Sequence, residues 1–565
     1  MTTRLDLDLA STPFSRRGSY LAVSRLADGV FLRTVRGNVR ERDLVRILVD
    51  GDAAPAAVAR PGLLSLRSGG TEVELALAGS GRALVRVTGG SAVLDLQVGS
   101  QYDVVLRERA DVWRFVASGA NRNYRLAVTG SARLETGWDG VKDASARLVL
   151  DATSRPVVVT IDEFGISAAP FEPASIDAVA AEADAEYAAW SARHGHRDGD
   201  PAVRSAARLA AFVTWAALVP PGGALRRESM LMSKNRMTNV WAWDHCFNAM
   251  ALWRDPDVAA DQLLTLFDHQ DAEGGLPDYV NDAGIEPNFV KPPIHGWSVG
   301  FLMDRGGLTD AAVAGLYEPL ARWTDWWFAH RVYGEDGVPS YNHGNDSGWD
   351  NSTVFAGGVP VQSPDLLAFL ALQMSTLARI ADRLGRPGDA DGWRVRERAT
   401  VDLLLRHFWV GDRFVARDTS SQRAIDSASL LTLMPLALGD ALPADVFDRC
   451  VERLLDGGFL TEHGLATEPI TSRHYVPDGY WRGPIWAPTT MLLVDGLRRG
   501  GRGDIADDVT RRFVATCTAG GMAENFDAIT GEGLRDLSMT WTASVFLLLL
   551  ATGDAEPSSD AEPSS

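Results

Sequence analysis

Two acidic residues stand in glycine- and asparagine-rich surroundings that suit chemistry. Asp350 lies in YNHGNDSGWDNS (341–352), between Trp349 and Asn351, and Glu524 lies in GGMAENFDAITGEGLRD (520–536), just before Asn525 and Phe526. Cleaving a glycosidic bond by the usual route takes two carboxyls, one on each side of the anomeric carbon. One protonates the leaving oxygen, and the other activates a water or attacks the carbon. The chain has 74 acidic residues, so acid content alone selects no pair. Loop context favours Asp350 and Glu524, with other loop acids left as alternatives.

A sugar site also needs flat apolar faces with polar edges, which Trp and Tyr provide. Of 17 tryptophans, 15 lie after residue 189, and Trp241, Trp243, Trp297, Trp349, Trp481, Trp486 and Trp541 fall in or beside the acidic loops. Core packing is the ordinary explanation for any one of them; clustering beside carboxylates points the group toward a sugar pocket. WAWDHCF (241–247) places Asp244 in the first turn of a helix, where it is either a dipole-favoured cap or a sugar ligand. FDHQDAEGGLPDYVND (267–282) and KPPIHGW (291–297) add Gln270, Asp278, Lys291 and His295, and YWRGPIW (480–486) leads into another helix.

These loops must be held by a scaffold. Residues 1–170 alternate apolar and polar positions in short runs such as TEVELALAG (71–79), SAVLDLQVG (91–99) and PVVVTIDEF (156–164), which predicts an all-β sandwich. Residues 171–200 predict a linker helix with Ser175 as its cap. From 201 to 553 the period becomes helical. Twelve helices are predicted near 201–218, 241–253, 257–270, 295–304, 308–331, 363–385, 389–411, 424–437, 443–455, 484–500, 501–518 and 538–552. Links after even-numbered helices are short, and most after odd-numbered ones are long. Six helical hairpins in a ring, an (α/α)6 barrel, would meet that pattern and gather the long loops on one face. Long loops in compact domains are commonly functional. The duplicated DAEPSSDAEPSS (554–565) reads as a disordered tail.

The formal net charge of −19 argues against nucleic acid and polyanionic partners, and leaves a small neutral carbohydrate compatible. No run approaches the ~18 apolar residues of a membrane span, and MTTRLDLDLASTPFSRR has no apolar signal region, so a cytoplasmic location is expected. Cys246, Cys450 and Cys517 are too few and too scattered to suggest disulfides or zinc by spacing. The chemistry needs neither metal nor cofactor. Nothing in the sequence speaks to oligomeric state.

Over roughly 200–553 these motifs resemble glycoside hydrolase family 63, in particular its bacterial members similar to mannosylglycerate and glucosylglycerate hydrolases. The resemblance implies an (α/α)6 barrel, often behind a β-sandwich, and exo-acting inverting α-glycosidase activity. Ser347-Gly348-Trp349-Asp350-Asn351 matches the family's Ser-Gly-x-Asp-Asn, which makes Asp350 the general acid. The late Glu before a Gly-rich turn matches Glu524, as general base. Trp243–Asp244 matches a binder of terminal-sugar hydroxyls, and Tyr480, Trp481, Gly483 and Trp486 match an aromatic wall. Gln270, Lys291, His295 and Trp297 correspond to further pocket lining. One departure is that Asn345–Asp346 stands where close relatives carry Trp-Glu, which bears on the leaving-group site more than on the mechanism. The expected reaction is hydrolysis of a short α-glucoside: a disaccharide, an oligosaccharide or a glycosyl-glycerate. Other specificities on the same machinery (trehalose, kojibiose or a non-gluco sugar), an inverting phosphorylase and a non-enzymic sugar-binding protein are the competing readings.

Overall fold

The computed structural model describes residues 5, 7–196 and 198–553. The tail at 554–565 lies outside the described residues.

The first part of the chain is all β. One antiparallel sheet has six strands, in spatial order Leu21–Leu26, Gly29–Thr34, Asp43–Val49, Ser91–Leu96, Asp143–Asp151 and Ser131–Trp138. A second has eight: Ala56–Arg60, Leu63–Ser68, Thr71–Ala78, Arg82–Thr88, Val157–Phe164, Arg122–Thr129, Val112–Ala117 and Val104–Arg109. Alternation along each strand turns one set of side chains inward. Val23, Leu32, Ile47 and Leu94 from the first sheet therefore share a core with Leu64, Val73, Val85 and Ile161 from the second.

Helix α1 (Ile176–His194) follows, with the Ser175 hydroxyl accepting from the Ala178 N–H at its start. It packs on both Thr71–Ala78 and Arg82–Thr88, and on α2 (Pro201–Ala217). Asp200 caps α2 by accepting from Ala202 and Val203, with Pro201 supplying a preset first turn.

The remaining helices come in two kinds. All eight residues of α3 (Asp244–Ala251) are buried, and so are most of α5 (His295–Asp304), α7 (Pro364–Arg383), α10 (Ala487–Arg499) and the Thr540–Gly553 helix. The second kind buries a single face: α4 (Pro256–Phe267), α6 (Asp310–His330), α8 (Pro387–Phe408), α9 (Ala444–Asp456) and α11 (Gly503–Gly520). With Thr540–Gly553 as α12, α3 packs on α5, α5 on α7, α7 on segment Leu430–Ala441, that segment on α10, α10 on α12, and α12 on α3. A helix that is apolar all round, like the LLLL run of α12, is stable in water only when surrounded in this way.

The helix expected at 424–437 is corrected. The segment is 3-10 helical over Leu430–Ala441, with Pro435 inside it and Gly439 at φ 59°, ψ −125°. Proline removes a backbone donor and the glycine turns the chain out of helical geometry, so no continuous α-helix forms. Among the described residues, no helix is long and apolar enough to cross a membrane.

The β part grips the helical part through buried polar contacts. Arg36 pairs with Glu163 at 2.7 Å and with Asp282 at 3.0 Å, and the Gly37 N–H donates to Asp282. The Lys234 ammonium is buried and donates to Ser15 and to the Arg16 carbonyl. Asp282 closes the hairpin of Tyr279–Asn281 with Gly284–Glu286, whose first strand also pairs with Val240–Trp241. The all-β part thus braces the strands that lead directly into Asp244 and Asp278.

Candidate active site

Five long connections carry the candidate residues, and hydrogen bonds lace them together. The Ala242 N–H donates to the Asp278 carbonyl at 2.9 Å, which sets the start of α3 beside the 278 loop. Gly348 presses on Trp243: its φ is +73°, and a Cβ there would stand 2.6 Å from the indole. Both constraints require glycine. Asn351 uses both ends of its amide on the next loop. Its Oδ1 accepts from the Trp481 N–H (2.9 Å), and its Nδ2 donates to the Gly479 carbonyl (3.0 Å). Ile485 and Phe526 exchange backbone hydrogen bonds at 2.8 and 3.0 Å, drawing the 480–486 loop against the segment that bears Glu524.

At the junction of these loops stands Tyr480. Its φ of +63° is unusual for a bulky residue, and the Trp486 Nε1–H donating to its carbonyl helps hold it there. Its phenol favours the ionised form of the nearby Glu524 carboxylate. Burial, followed by the charges of Asp350, Glu524 and Asp244, pushes the phenol far above its ordinary range. One phenol therefore senses all three acids.

The electrostatics of these acids is set mainly by burial, which disfavours the charged form. Asp244 is pushed up to about 8, with Lys291 opposing and Asp278 and Asp350 reinforcing the rise. Its Oδ2 is buried without a protein partner. Glu524 is pushed up to about 7 by burial and by the like charge of Asp536, against the opposing influence of the Asp536 backbone, Arg535 and Tyr480. Asp350 is raised by burial, Lys291 again opposing. Both proposed partners in chemistry shift the same way, so burial does not divide acid from base. That division rests on the family resemblance.

Lys291 sits 2.9 Å from Asp278 Oδ1 and donates to the Asn345 carbonyl at 2.8 Å. Asn345 in turn donates to Asp278 Oδ2 at 3.2 Å. Its neighbour Asp346 is buried and braced by Arg331 (2.7 Å) and by the N–H groups of Asn342 and Val290. At the departure from Trp-Glu, then, Asn345 joins the Lys291 cluster while Asp346 anchors the loop.

The tryptophans form one cluster. Trp481 stacks on Trp486 with centroids 3.9 Å apart and planes 6° apart, and Trp349 lies 4.7 Å from Trp481. Trp541 stands edge-on to Trp486 and Trp243, and Trp243 lies tilted against Trp481. The expectation that the Trp481 face stacks on sugar is corrected, because other indoles occupy its faces; its buried Nε1–H, without a protein partner, is the group left to offer.

Several residues expected to line a pocket are committed elsewhere. Gln270 donates to the Gly274 and Pro319 carbonyls, both at 2.9 Å. Trp297 donates to Asp495 at 2.8 Å and packs on Phe247. Gly483 has φ +148°, and a Cβ there would meet the Val476 carbonyl at 2.4 Å, so it shapes its loop. His295 is fully buried beside His245. Sequence reasoning missed that Tyr480 addresses Glu524 and that Asn351 is the clamp between loops. Neither spacing nor composition records a partner far away in the chain.

A family model described as the mannosylglycerate hydrolase MGH1-like glycoside hydrolase domain matches residues 237–542, more than half of the chain. A mannosylglycerate hydrolase of Rubrobacter radiotolerans is 24% identical over 411 residues, which cover 55% of this chain and 91% of that protein. A glucosylglycerate hydrolase of Mycolicibacterium hassiacum is 24% identical over 415 residues, with the same coverage of 55% and 91%. The crystal structure of the GH63 mannosylglycerate hydrolase from Thermus thermophilus in complex with Tris and D-glycerate superposes with a TM-score of 0.53 at 19% identity. It covers 62% of this chain and 100% of that one, a likeness of fold. With the family match spanning the segment from Met237 to Thr542 that carries both carboxylate loops, the chain belongs to the mannosylglycerate hydrolase MGH1-like family within glycoside hydrolase family 63, and it is a glycoside hydrolase.

Proposed function

We propose that the protein is an exo-acting, inverting α-glycosidase that hydrolyses a short α-glucoside. In this reading Asp350 protonates the leaving oxygen, and Glu524 deprotonates a water that attacks the anomeric carbon from the opposite face. The observation that carries it is Tyr480. Its phenol feels the charges of Asp350, Glu524 and Asp244, so three acids from three separate segments bear on one site. Asp244, with an oxygen free of protein partners, binds hydroxyls of the terminal sugar, and the Trp481 N–H adds a donor at the pocket wall.

The cyclic order of helix contacts from α3 through α12 and back to α3 supports an (α/α)6 barrel as the catalytic domain. In this reading a β-sandwich spans 1–170, a linker helix 171–200 and the barrel 201–553. The relatives named for mannosylglycerate and glucosylglycerate favour glycosyl-glycerates among the candidate substrates. Asn345, which stands where close relatives carry Trp and here joins Lys291 and Asp278, extends the range to α-linked disaccharides and oligosaccharides. The substrate is a small neutral or glycerate-bearing carbohydrate, and the enzyme works in the cytoplasm.

The test is a screen of α-linked disaccharides and glycosyl-glycerates with the first-formed anomer followed by NMR. An inverting site leaves room for a water between its carboxyls, about 6.5–9.5 Å apart, and releases the β-anomer first. Release of the α-anomer first, or a trapped glycosyl-enzyme, would overturn Glu524 as a base.

A further inference from the structure

Directly behind Asp244 lies a group of side chains that the hydrolytic reading does not use. His245 and Cys246 follow Asp244 on α3, and His295 opens α5; all three are fully buried. His245 Nδ1 lies 2.9 Å from the Trp241 carbonyl, so this nitrogen carries the proton and donates, leaving a bare lone pair on Nε2. That Nε2 is 3.8 Å from Cys246 Sγ. The imidazole of His295 stands 5.0 Å from that of His245, and neither of its nitrogens has a hydrogen-bond partner. Its other neighbours are the apolar faces of Phe267 and Trp323. A buried imidazole with two unanswered nitrogens calls for an explanation.

We propose that His245, Cys246 and His295 supply three ligands to one Zn2+ ion, with a water as the fourth, joining the first turn of α3 to that of α5 behind the sugar site. One donor atom from each residue lies within 4.8 Å of the other two. Zinc bonds of about 2.0–2.1 Å to nitrogen and about 2.3 Å to sulfur place tetrahedral donors roughly 3.3–3.6 Å apart, so the 3.8 Å between His245 Nε2 and Cys246 Sγ closes slightly, and a pair at the 4.8 Å limit would close by a little over about 1 Å. Two neutral imidazoles and one thiolate are a donor set that favours zinc over calcium or magnesium. The His245 Nδ1–H bonded to a backbone carbonyl is the outer contact that orients a metal-binding imidazole. On binding, the Cys246 thiol gives its proton to solvent, and the thiolate offsets one of the ion's two charges. The ion touches no reacting atom; its role is to fix the two helix starts on which Asp244 and the 291–295 segment are built.

The experiment uses the untagged full chain, purified under reducing conditions. Elemental analysis is expected to find about one zinc per chain after exposure to Zn2+ and dialysis, and a zinc chelator should lower the melting temperature. Anaerobic exchange with Co2+ should produce a thiolate-to-cobalt charge-transfer band with tetrahedral visible bands. Cys246→Ser should abolish the charge-transfer band, and Cys246→Ser and His295→Gln should each weaken metal retention at least tenfold. If folded wild-type chain retains neither Zn2+ nor Co2+ in stoichiometric amount, the proposal is wrong, and a trapped water accounts for His295. Stoichiometric metal without the thiolate band in wild type would also overturn it, a result that does not depend on either variant folding.

Discussion

Tyr480, held at a backbone φ of +63°, favours the ionised form of the Glu524 carboxylate. It so opposes the burial that lifts Glu524 to about 7. A general base must be deprotonated to act, so kcat/KM should rise as pH climbs through about 7. In Tyr480→Phe that opposing influence is gone, and the rising limb should move to higher pH. A pH–rate profile of the variant with its limb unmoved, or moved to lower pH, would separate Tyr480 from the proposed base.

Asp350→Asn and Glu524→Gln should each lower kcat by about 10²–10⁴-fold, the usual contribution of a positioned acid or base. Circular dichroism should remain that of the wild type. Activity within about tenfold of wild type in either variant would mean that another loop acid does that work.

Glu524 also makes a prediction about stability. Its folded value of about 7 lies above the ordinary 4.5, so between these values the folded chain keeps a proton that the unfolded chain has lost. Stability therefore falls as pH rises through that window. Glu524→Gln should flatten this part of the stability–pH curve and, above about pH 7, stabilise the protein by on the order of 1–3 kcal/mol. Urea unfolding at several pH values checks it; a variant less stable than wild type on the alkaline side would contradict the burial argument.

Gly348→Ala should be harmful for two reasons, the left-handed backbone and the 2.6 Å approach of a new Cβ to the Trp243 ring. A loss of about 1–3 kcal/mol is expected, together with a fall in kcat as Asp350, two residues on, is displaced. Gly357→Ala, where a Cβ meets nothing within 4 Å, is the control and should change neither.

Trp481→Phe keeps an aromatic ring between Trp349 and Trp486 but removes the indole N–H. If that N–H serves a sugar hydroxyl, KM should rise about 2–10-fold, the worth of one hydrogen bond, with little change in melting temperature. An unchanged KM would return Trp481 to the role of packing alone.

Much of the scaffold is readable from the chain because it is written in local periods. The apolar run around 295–304 predicts a helix that the structure holds over His295–Asp304. Strands such as Thr71–Ala78 announce themselves by alternation, and Ser175 and Asp200 sit where caps are needed. Local pattern failed at 424–437, where an apolar run mimics a helix but Pro435 and Gly439 prevent one. What the sequence could not assign is the partner of each polar group. Gln270, Trp297 and Asn351 are side chains that suit a sugar pocket, yet their partners are Pro319, Asp495 and the 479–481 backbone. His245, Cys246 and His295 have no metal-like spacing in the chain and meet only where α3 packs on α5. Periodicity is a property of neighbouring residues, and the chain alone determines it; hydrogen bonds and carboxyl pKa values depend on what burial brings within a few ångströms, and only the tertiary structure decides that.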